Sequence, residues 1–299
     1  MIKIAWHPVY VHPLPEGHRF PMLKYELLPE QLLHEGLITP GNLFAPERVS
    51  EETVLLAHER SYWEQLRDLS LPPREQRRTG FALDARLLER ELRIVQGTID
   101  GAVSALENGL AFNVAGGTHH AGSNWGEGFC LLNDQAVAAA YLLKKGLAKR
   151  VLIVDLDVHQ GNGTAEIFSS EPRVFTFSMH GDKNFPFRKE RSDLDIGLDD
   201  DCGDDEYLDR LERVLPVLQE QRPDFVFYLS GVDVLESDRL GKLALSKRGC
   251  AERDRMVFRF CKRLGVPVQV SMGGGYSAEI RDIVDAHCAT FKIGFDIFD

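Results

Sequence analysis

The chain is predicted to fold as a three-layer α/β protein, with helices on both faces of a mainly parallel sheet. Apolar runs of strand type alternate along it with segments of helical spacing, the pattern of a sheet built by crossover connections. Several runs, Val151-Leu-Ile-Val among them, are apolar at consecutive positions, as strands covered on both faces are. With 299 residues, 43% of them hydrophobic, the chain can bury a large core, and residues 1–299 are read as one domain.

Strand character recurs at Ile2 to Trp6, Leu110 to Ala115, Val151 to Leu156, Val174 to Ser178, Phe225 to Ser230, Val266 to Ser271 and Phe291 to Phe295. Helical spacing covers Glu51 to Leu69, Leu83 to Asn108, Asp134 to Lys145, Asp205 to Gln221, Lys247 to Leu264 and Ser277 to His287. Pro72-Pro73-Arg74 to Gly80 reads as an excursion or long loop. The acidic run Asp199 to Glu206 precedes an amphipathic segment, where carboxylates favour a helix amino terminus; a cation site is the lesser reading.

Lys and Arg number 35 against 46 Asp and Glu, a net charge of −11. Such a surface repels phosphate backbones, so no direct nucleic-acid partner is expected, and cationic partners such as Lys-bearing tails are mildly favoured. The five cysteines (Cys130, Cys202, Cys250, Cys261, Cys288) lack CxxC spacing, which points to neither a disulfide framework nor a thiolate metal site. The amino terminus is too poor in apolar residues for a signal peptide, and no run reaches membrane-spanning length. A soluble cytoplasmic protein is expected, or a nuclear one if the source is eukaryotic.

The segment Asp155-Leu-Asp157-Val-His159-Gln-Gly-Asn162-Gly163 ends one of the apolar runs. In an extended chain, alternate residues share a side, so Asp155, Asp157 and His159 project together; two carboxylates and an imidazole suit zinc or iron(II). A set of loop caps at a strand end is the alternative. Three more polar segments follow apolar runs: Gly116-Gly-Thr-His119-His120, Ser230-Gly-Val-Asp233 and Gly273-Gly-Gly-Tyr276. Ligand sites of open parallel sheets lie beyond the carboxyl ends of the strands, so the four segments are expected to meet. Asp233 can then join Asp157 and His159 as a third ligand, a histidine can act as base, and the Tyr276 hydroxyl can donate to an oxyanion. Together they suit metal-assisted hydrolysis of an amide.

On these residues the chain resembles the zinc-dependent histone deacetylases, over nearly its whole length. The matching pieces are His18-Arg-Phe20-Pro21, Gly116-Gly-Thr-His-His-Ala121, Gly128-Phe129-Cys-Leu-Leu-Asn-Asp134, Asp155 to Gly163, Ser230-Gly-Val-Asp233 and Gly273-Gly-Gly-Tyr276. Gln160-Gly-Asn162-Gly and Asp204-Asp-Glu-Tyr-Leu208 are most similar to the class IV branch and its bacterial relatives. The resemblance implies the arginase/deacetylase fold, zinc on Asp157, His159 and Asp233, His120 as general base, His119 as its electrostatic companion and Tyr276 as oxyanion donor. It implies a structural potassium ion near Asp155, held by backbone carbonyls of Asp157 and His159 and by Ser178 or Met179. It also implies a substrate channel with His18 and Phe20 in the entrance loop, Gly128 and Phe129 on one wall, Phe185 or Phe187 opposite and Leu240 at the rim. The expected activity is removal of acetyl or longer acyl groups from lysine side chains of peptides or proteins. An acetylpolyamine deacetylase and a non-catalytic acyl-lysine reader are the alternatives.

One departure matters physically. The second histidine of the family usually faces Asp, and here that position is Asn162, which orients His120 without charge; Asp155 remains for His119. His119 is therefore expected to be the more readily protonated of the two. A two-metal ureohydrolase needs another Asp two residues after His159, where Gly161 stands. Cys130, beside Phe129, is read as a small buried hydrophobe before a redox switch.

Overall fold

The computed structural model describes residues 1–299. Eight strands form one sheet: β1 (Lys3–Ala5), β2 (Leu43–Phe44), β3 (Leu110–Asn113), β4 (Val151–Asp155), β5 (Val174–Gly181), β6 (Leu194–Leu198), β7 (Phe225–Leu229) and β8 (Val268–Ser271). Their order is β2-β1-β3-β8-β7-β4-β5-β6, and every pairing is parallel. Ten helices complete the layers: α1 (Lys24–His34), α2 (Glu51–Val54), α3 (Arg60–Arg67), α4 (Pro73–Thr79), α5 (Ala85–Asn108), α6 (Asp134–Lys145), α7 (Asn162–Phe168), α8 (Asp204–Glu220), α9 (Lys247–Leu264) and α10 (Ile280–Phe298). This is the three-layer αβα architecture expected. Every residue of β3, β4, β7 and β8 is buried, as the unbroken apolar runs require of central strands.

These four central strands are adjacent in the order β3-β8-β7-β4, and each is followed by one of the four polar segments. The register pairs Asn113 with Ser271, Leu229 with Ser271 and Asp155 with Leu229, so the strands end level and their loops emerge side by side. Parallel pairing is what brings segments more than a hundred residues apart to one edge.

Phe291 to Phe295 is helix rather than strand. Phe291 and Phe295, four apart, both stack over Phe112 of β3, at 4.2 and 6.3 Å between centroids, and one helical face can do this where alternating strand faces cannot. The helical stretch Glu51 to Leu69 breaks into α2 and α3. Between them His58 is buried and held by Gly122 O at 3.0 Å and Asn133 N at 2.9 Å, and these bonds replace one helical turn. Helix α1 escaped the periodicity because Pro29 interrupts it. Pro29 cannot donate to Tyr25 O, and the Trp6 indole takes up that carbonyl at 2.8 Å. The excursion from Pro72 contains α4, and the acidic run leads into α8 with Asp204, Asp205 and Glu206 in its first turn. All five cysteines are free and buried, and no helix is long and apolar enough to cross a membrane.

Candidate active site

Beyond the carboxyl ends of β4 and β7, Asp157, His159 and Asp233 turn their donor atoms to one point, all within 4.8 Å of one another. His159 Nδ1 lies 3.0 Å from Asp157 Oδ1 and 3.2 Å from Asp233 Oδ2. The other oxygens are occupied by the backbone: Gly274 N donates to Asp157 Oδ2 (2.8 Å) and Val158 N to Asp233 Oδ1 (3.0 Å). Asp233 Oδ2 is buried and accepts no well-formed hydrogen bond, the His159 imidazole at 3.2 Å being out of line for one. A carboxylate oxygen left in that state calls for a cation, and the donor set fits a divalent ion of the zinc or iron(II) kind.

Electrostatics says the same. Burial alone would lower the His159 pKa, but the hydrogen bonds and charges of Asp157 and Asp233 outweigh it and raise it to about 10. Burial and the charge of Asp157 push Asp233 up to about 7, whereas Asp157, despite burial, is held well below the ordinary carboxylate range by His119 and His159. The three groups crowd more negative charge into a dry site than one imidazolium neutralises.

The tandem histidines follow β3 and lie with ring centroids 4.2 Å apart. Gly117 shapes the turn that delivers them: its φ is +73°, and a Cβ there would stand 2.7 Å from Gly273 Cα, so two glycines let the β3 and β8 loops touch. Asp134 at the start of α6 ties the same turn to β8, accepting from Thr118 N (2.9 Å) and Ser271 Oγ (2.9 Å).

His119 Nδ1 donates to Asp155 Oδ2 at 2.6 Å, and His120 Nδ1 to Asn162 Oδ1 at 2.7 Å. The Asn162 amide is fixed from its far side, where Nδ2 donates to Glu127 Oε1 at 2.6 Å. Since a carboxylate only accepts, Oδ1 must face His120, its Nδ1 must carry the proton, and Nε2 is left as the acceptor. Burial lowers the pKa of both histidines, but Asp155 and Asp157 reverse this for His119 and raise it. His120, buried and facing His119 and His159, stays well below the ordinary imidazole range. The order expected from the Asp155 and Asn162 contrast is the order these directions give.

Tyr276 closes the site from the β8 loop. Its backbone N–H donates to Asp238 Oδ2 at 2.6 Å, and Asp238 Oδ1 accepts from Leu240 N and Gly241 N at 2.8 Å, so one carboxylate fixes both the tyrosine loop and the rim. The Tyr276 backbone N–H is its one hydrogen-bonding group engaged by a side chain, and its hydroxyl makes no hydrogen bond within the chain. Burial and the nearby Asp233 and Asp157 hold it well above its ordinary pKa, so it remains a donor.

Two cavities flank this chemistry. The outer one, about 350 Å³, opens to solvent past Gly128, Phe129, Phe185, Phe187 and Leu240 and reaches His120, His159 and Tyr276. Phe185 lies 5.0 Å from the His120 ring, while Phe187 stands 89% exposed at the mouth. Phe129 has φ +68°, a left-handed conformation that costs an aromatic residue about 1–3 kcal/mol and aims its ring into the channel. Helix α4 supports it: Thr79 O accepts from Phe129 N at 2.8 Å, and Gly80, at φ +78°, leaves room for the ring where a Cβ would come within 2.8 Å.

Two expected channel residues do not line the outer cavity. His18 lines neither cavity; its Nε2 meets Gly80 O at 3.0 Å, its Nδ1 accepts from Phe20 N at 3.1 Å, and its ring stacks on Phe81. It pins the entrance loop to the α4 turn. Phe20 lines the inner cavity, about 30 Å³, with Tyr25, Arg90, Cys130, His119 and Tyr276. Burial pushes the Cys130 thiol well above its ordinary pKa, as suits a packed hydrophobe.

Ser178, the register partner of Asp155, bonds His180 Nδ1 at 2.9 Å, and Met179 is fully buried beside it. The backbone carbonyls of Asp157 and His159 accept no hydrogen bond from the chain although both residues are buried, leaving oxygens for a second cation.

The histone deacetylase domain model matches residues 18–291. The chain belongs to the histone deacetylase family. It is 47% identical over 296 residues to an uncharacterized protein of Picosynechococcus sp., covering 99% of both chains. It is 30% identical over 280 residues to histone deacetylase 2 of Arabidopsis thaliana, covering 90% of this chain and 72% of that one. An HDAC homolog solved in complex with SAHA superposes with a TM-score of 0.83 at 26% identity, covering 97% of this chain and 82% of that one. An HDAC homolog from Aquifex aeolicus gives 0.83 at 25% identity, covering 98% and 84%.

Sequence reasoning missed three residues that this deacetylase-family site uses. Glu127 places a carboxylate behind the Asn162 amide, so the His120 side is not free of charge after all. Lys24, 1% exposed, donates to Gly273 O at 3.1 Å and lies 5.6 Å from the Tyr276 ring centroid, bracing the tyrosine loop; burial lowers its pKa to about 8. Arg253, fully buried on α9, donates to Leu156 O (3.2 Å) and Gly231 O (2.5 Å), clamping together the loops that carry Asp157 and Asp233. None carries a local signal; a Lys or Arg in an amphipathic helix reads as solvent-facing.

Proposed function

We propose that this chain is a metal-dependent lysine deacetylase, hydrolysing the amide of a short acyl group on a lysine side chain. What carries the reading is the convergence, at the foot of one channel, of a proton acceptor (His120 Nε2), a free donor (Tyr276 hydroxyl) and an unneutralised donor set (Asp157, His159, Asp233). Those three residues would hold zinc, or iron(II), which when bound supplies a Lewis acid that polarises the acyl carbonyl and acidifies a water. Asp155, the carbonyls of Asp157 and His159, and Ser178 or Met179 would hold potassium and stiffen the His119 and Asp157 turn.

The aliphatic stem of lysine would run past Phe129 and Phe185, an apolar slot that excludes water from the scissile amide. His120 accepts the proton of the attacking water, with Asn162 keeping its Nδ1 protonated and Nε2 free. Tyr276 donates to the carbonyl oxygen as negative charge grows there, and His119, charged beside Asp155, supports the same charge. The His120 imidazolium then returns its proton to the departing amine, giving free lysine and a carboxylic acid.

The inner cavity of about 30 Å³ holds little more than a water or two. It accommodates an acetyl methyl but not a long chain unless Phe20, Tyr25 or Arg90 moves, so acetyl is favoured over longer acyl groups. Turnover of Lys peptides carrying acetyl to myristoyl groups by metal-loaded protein tests both points. Hydrolysis that falls with chain length and vanishes in Tyr276→Phe supports the proposal. Tight binding of acylated peptide without turnover would replace it with a non-catalytic reader.

A further inference from the structure

A chain of net charge −11 surrounds its channel with cations. Arg19, Arg78, Lys183 and Lys242 line the outer cavity, and no Asp or Glu does. All four are exposed, and Arg188 is exposed beside Phe187. Two carboxylates touch them from outside the lining: Glu127 pairs with Arg78 at 2.8 Å, and Asp200 lies 3.7 Å from Lys183 and 4.0 Å from Lys242. One carboxylate shared by two ammonium groups neutralises neither fully. Arg19 has no carboxylate within 4.0 Å, its guanidinium lying 5.2 Å from the Phe129 ring centroid. Asp238, buried under the rim and accepting three backbone N–H donors, is a third carboxylate, and four lining cations against three still leave the mouth positive where a substrate backbone must lie.

We propose that the mouth selects acyl-lysine embedded in acidic sequence. The inference rests on the acyl-lysine reading and narrows it. A concave opening with apolar walls focuses the field of its charges, and such fields change association rates by about 10- to 1,000-fold at low salt. Carboxylates flanking the lysine meet Arg19, Lys183 and Lys242, while the exposed Phe187 ring offers an apolar contact to the backbone between them. A basic tail, or an acylpolyamine with its remaining ammonium groups, approaches against this field. The net charge of the chain suggests the opposite partner; the local distribution decides, because charges beyond a Debye length of about 8–10 Å are screened.

Three acetyl-lysine peptides with acidic, uncharged and basic flanks, together with acetylspermidine, provide the test on metal-loaded protein. At about 0.1 M salt, where the Debye length is about 10 Å, kcat/KM falls in the order acidic, uncharged, basic, spanning about tenfold and residing mainly in KM. About 0.5 M salt compresses the span. The triple variant Arg19→Glu, Lys183→Glu, Lys242→Glu inverts the order, a result that loss of fold cannot mimic. A flat or reversed order in the parent, an order the triple variant leaves in place, or acetylspermidine as the best substrate would overturn the proposal. Should nothing be hydrolysed, the deacetylase reading fails on its own, and fluorescence anisotropy of the same labelled peptides still reads the charge preference.

Discussion

The floor of the site and its mouth are built on opposite principles. The floor stands on the ends of four adjacent buried strands, is dry, and concentrates carboxylates (Asp155, Asp157, Asp233) around imidazoles. The mouth is made of excursions, namely the entrance loop with Arg19, the end of α4, the 182–192 segment and the loop after Asp233, and it is exposed and cationic. The floor can hold a cation because the sheet register leaves its donors no freedom to separate. The mouth can discriminate substrates because its side chains are free to vary without disturbing the sheet. On the proposed function, reaction chemistry and selectivity fall to different classes of structure, with Phe129 and Tyr276 as the boundary.

The largest expected effects are therefore in the floor. Tyr276→Phe removes the free hydroxyl donor proposed for the carbonyl oxygen and should lower kcat about 100- to 1,000-fold with little change in KM, measured on an acetyl-lysine peptide. An unchanged kcat would move the oxyanion donor elsewhere.

Metal loading should depend steeply on pH. His159, raised to about 10, and Asp233, raised to about 7, must each give up a proton to act as ligands, so affinity climbs with pH and binding releases protons. Dialysis against a chelator should strip metal faster at pH 6 than at pH 8. In the stripped protein, the raised His159 pKa contributes stability that is complete below its unfolded value near 6.5 and fades as pH rises through about 10. The Tm deficit of stripped against loaded protein should accordingly widen from pH 6.5 to 9.5.

A smaller effect separates charge from geometry behind His120. Glu127→Gln keeps an acceptor for Asn162 Nδ2 but loses the charge, and should cost about threefold in kcat while shifting the acidic limb of the rate profile to lower pH, since His120 becomes harder to protonate. Glu127→Ala also frees the Asn162 amide to turn and should cost about tenfold. Equal losses in both variants would mean that charge alone matters. Smallest of all, Phe187→Ala at the exposed mouth should raise KM about twofold or less and leave metal content unaltered, measured by steady-state kinetics and metal analysis.

What could be read directly from residue order was the floor. Strand type, parallel pairing and the emergence of four polar segments at one edge follow from consecutive apolar runs and the twofold repeat of a strand, and those local rules also bring Asp157, His159, Asp233, His119, His120 and Tyr276 together. The errors arose where a tertiary partner overrode the local pattern: Phe291 to Phe295 became helix to stack on Phe112, His58 broke a helix to reach Gly122 and Asn133, and Trp6 made Pro29 tolerable inside α1. Only the folded chain decided that Glu127 stands behind Asn162, that His18 braces a loop instead of lining the channel, and that an acidic protein carries a cationic mouth. The reason is range: strand periodicity and the alternation of strand with helix are set by neighbours in sequence, whereas the strand order and the electrostatics of a site are set by distant segments whose separation no composition or spacing encodes.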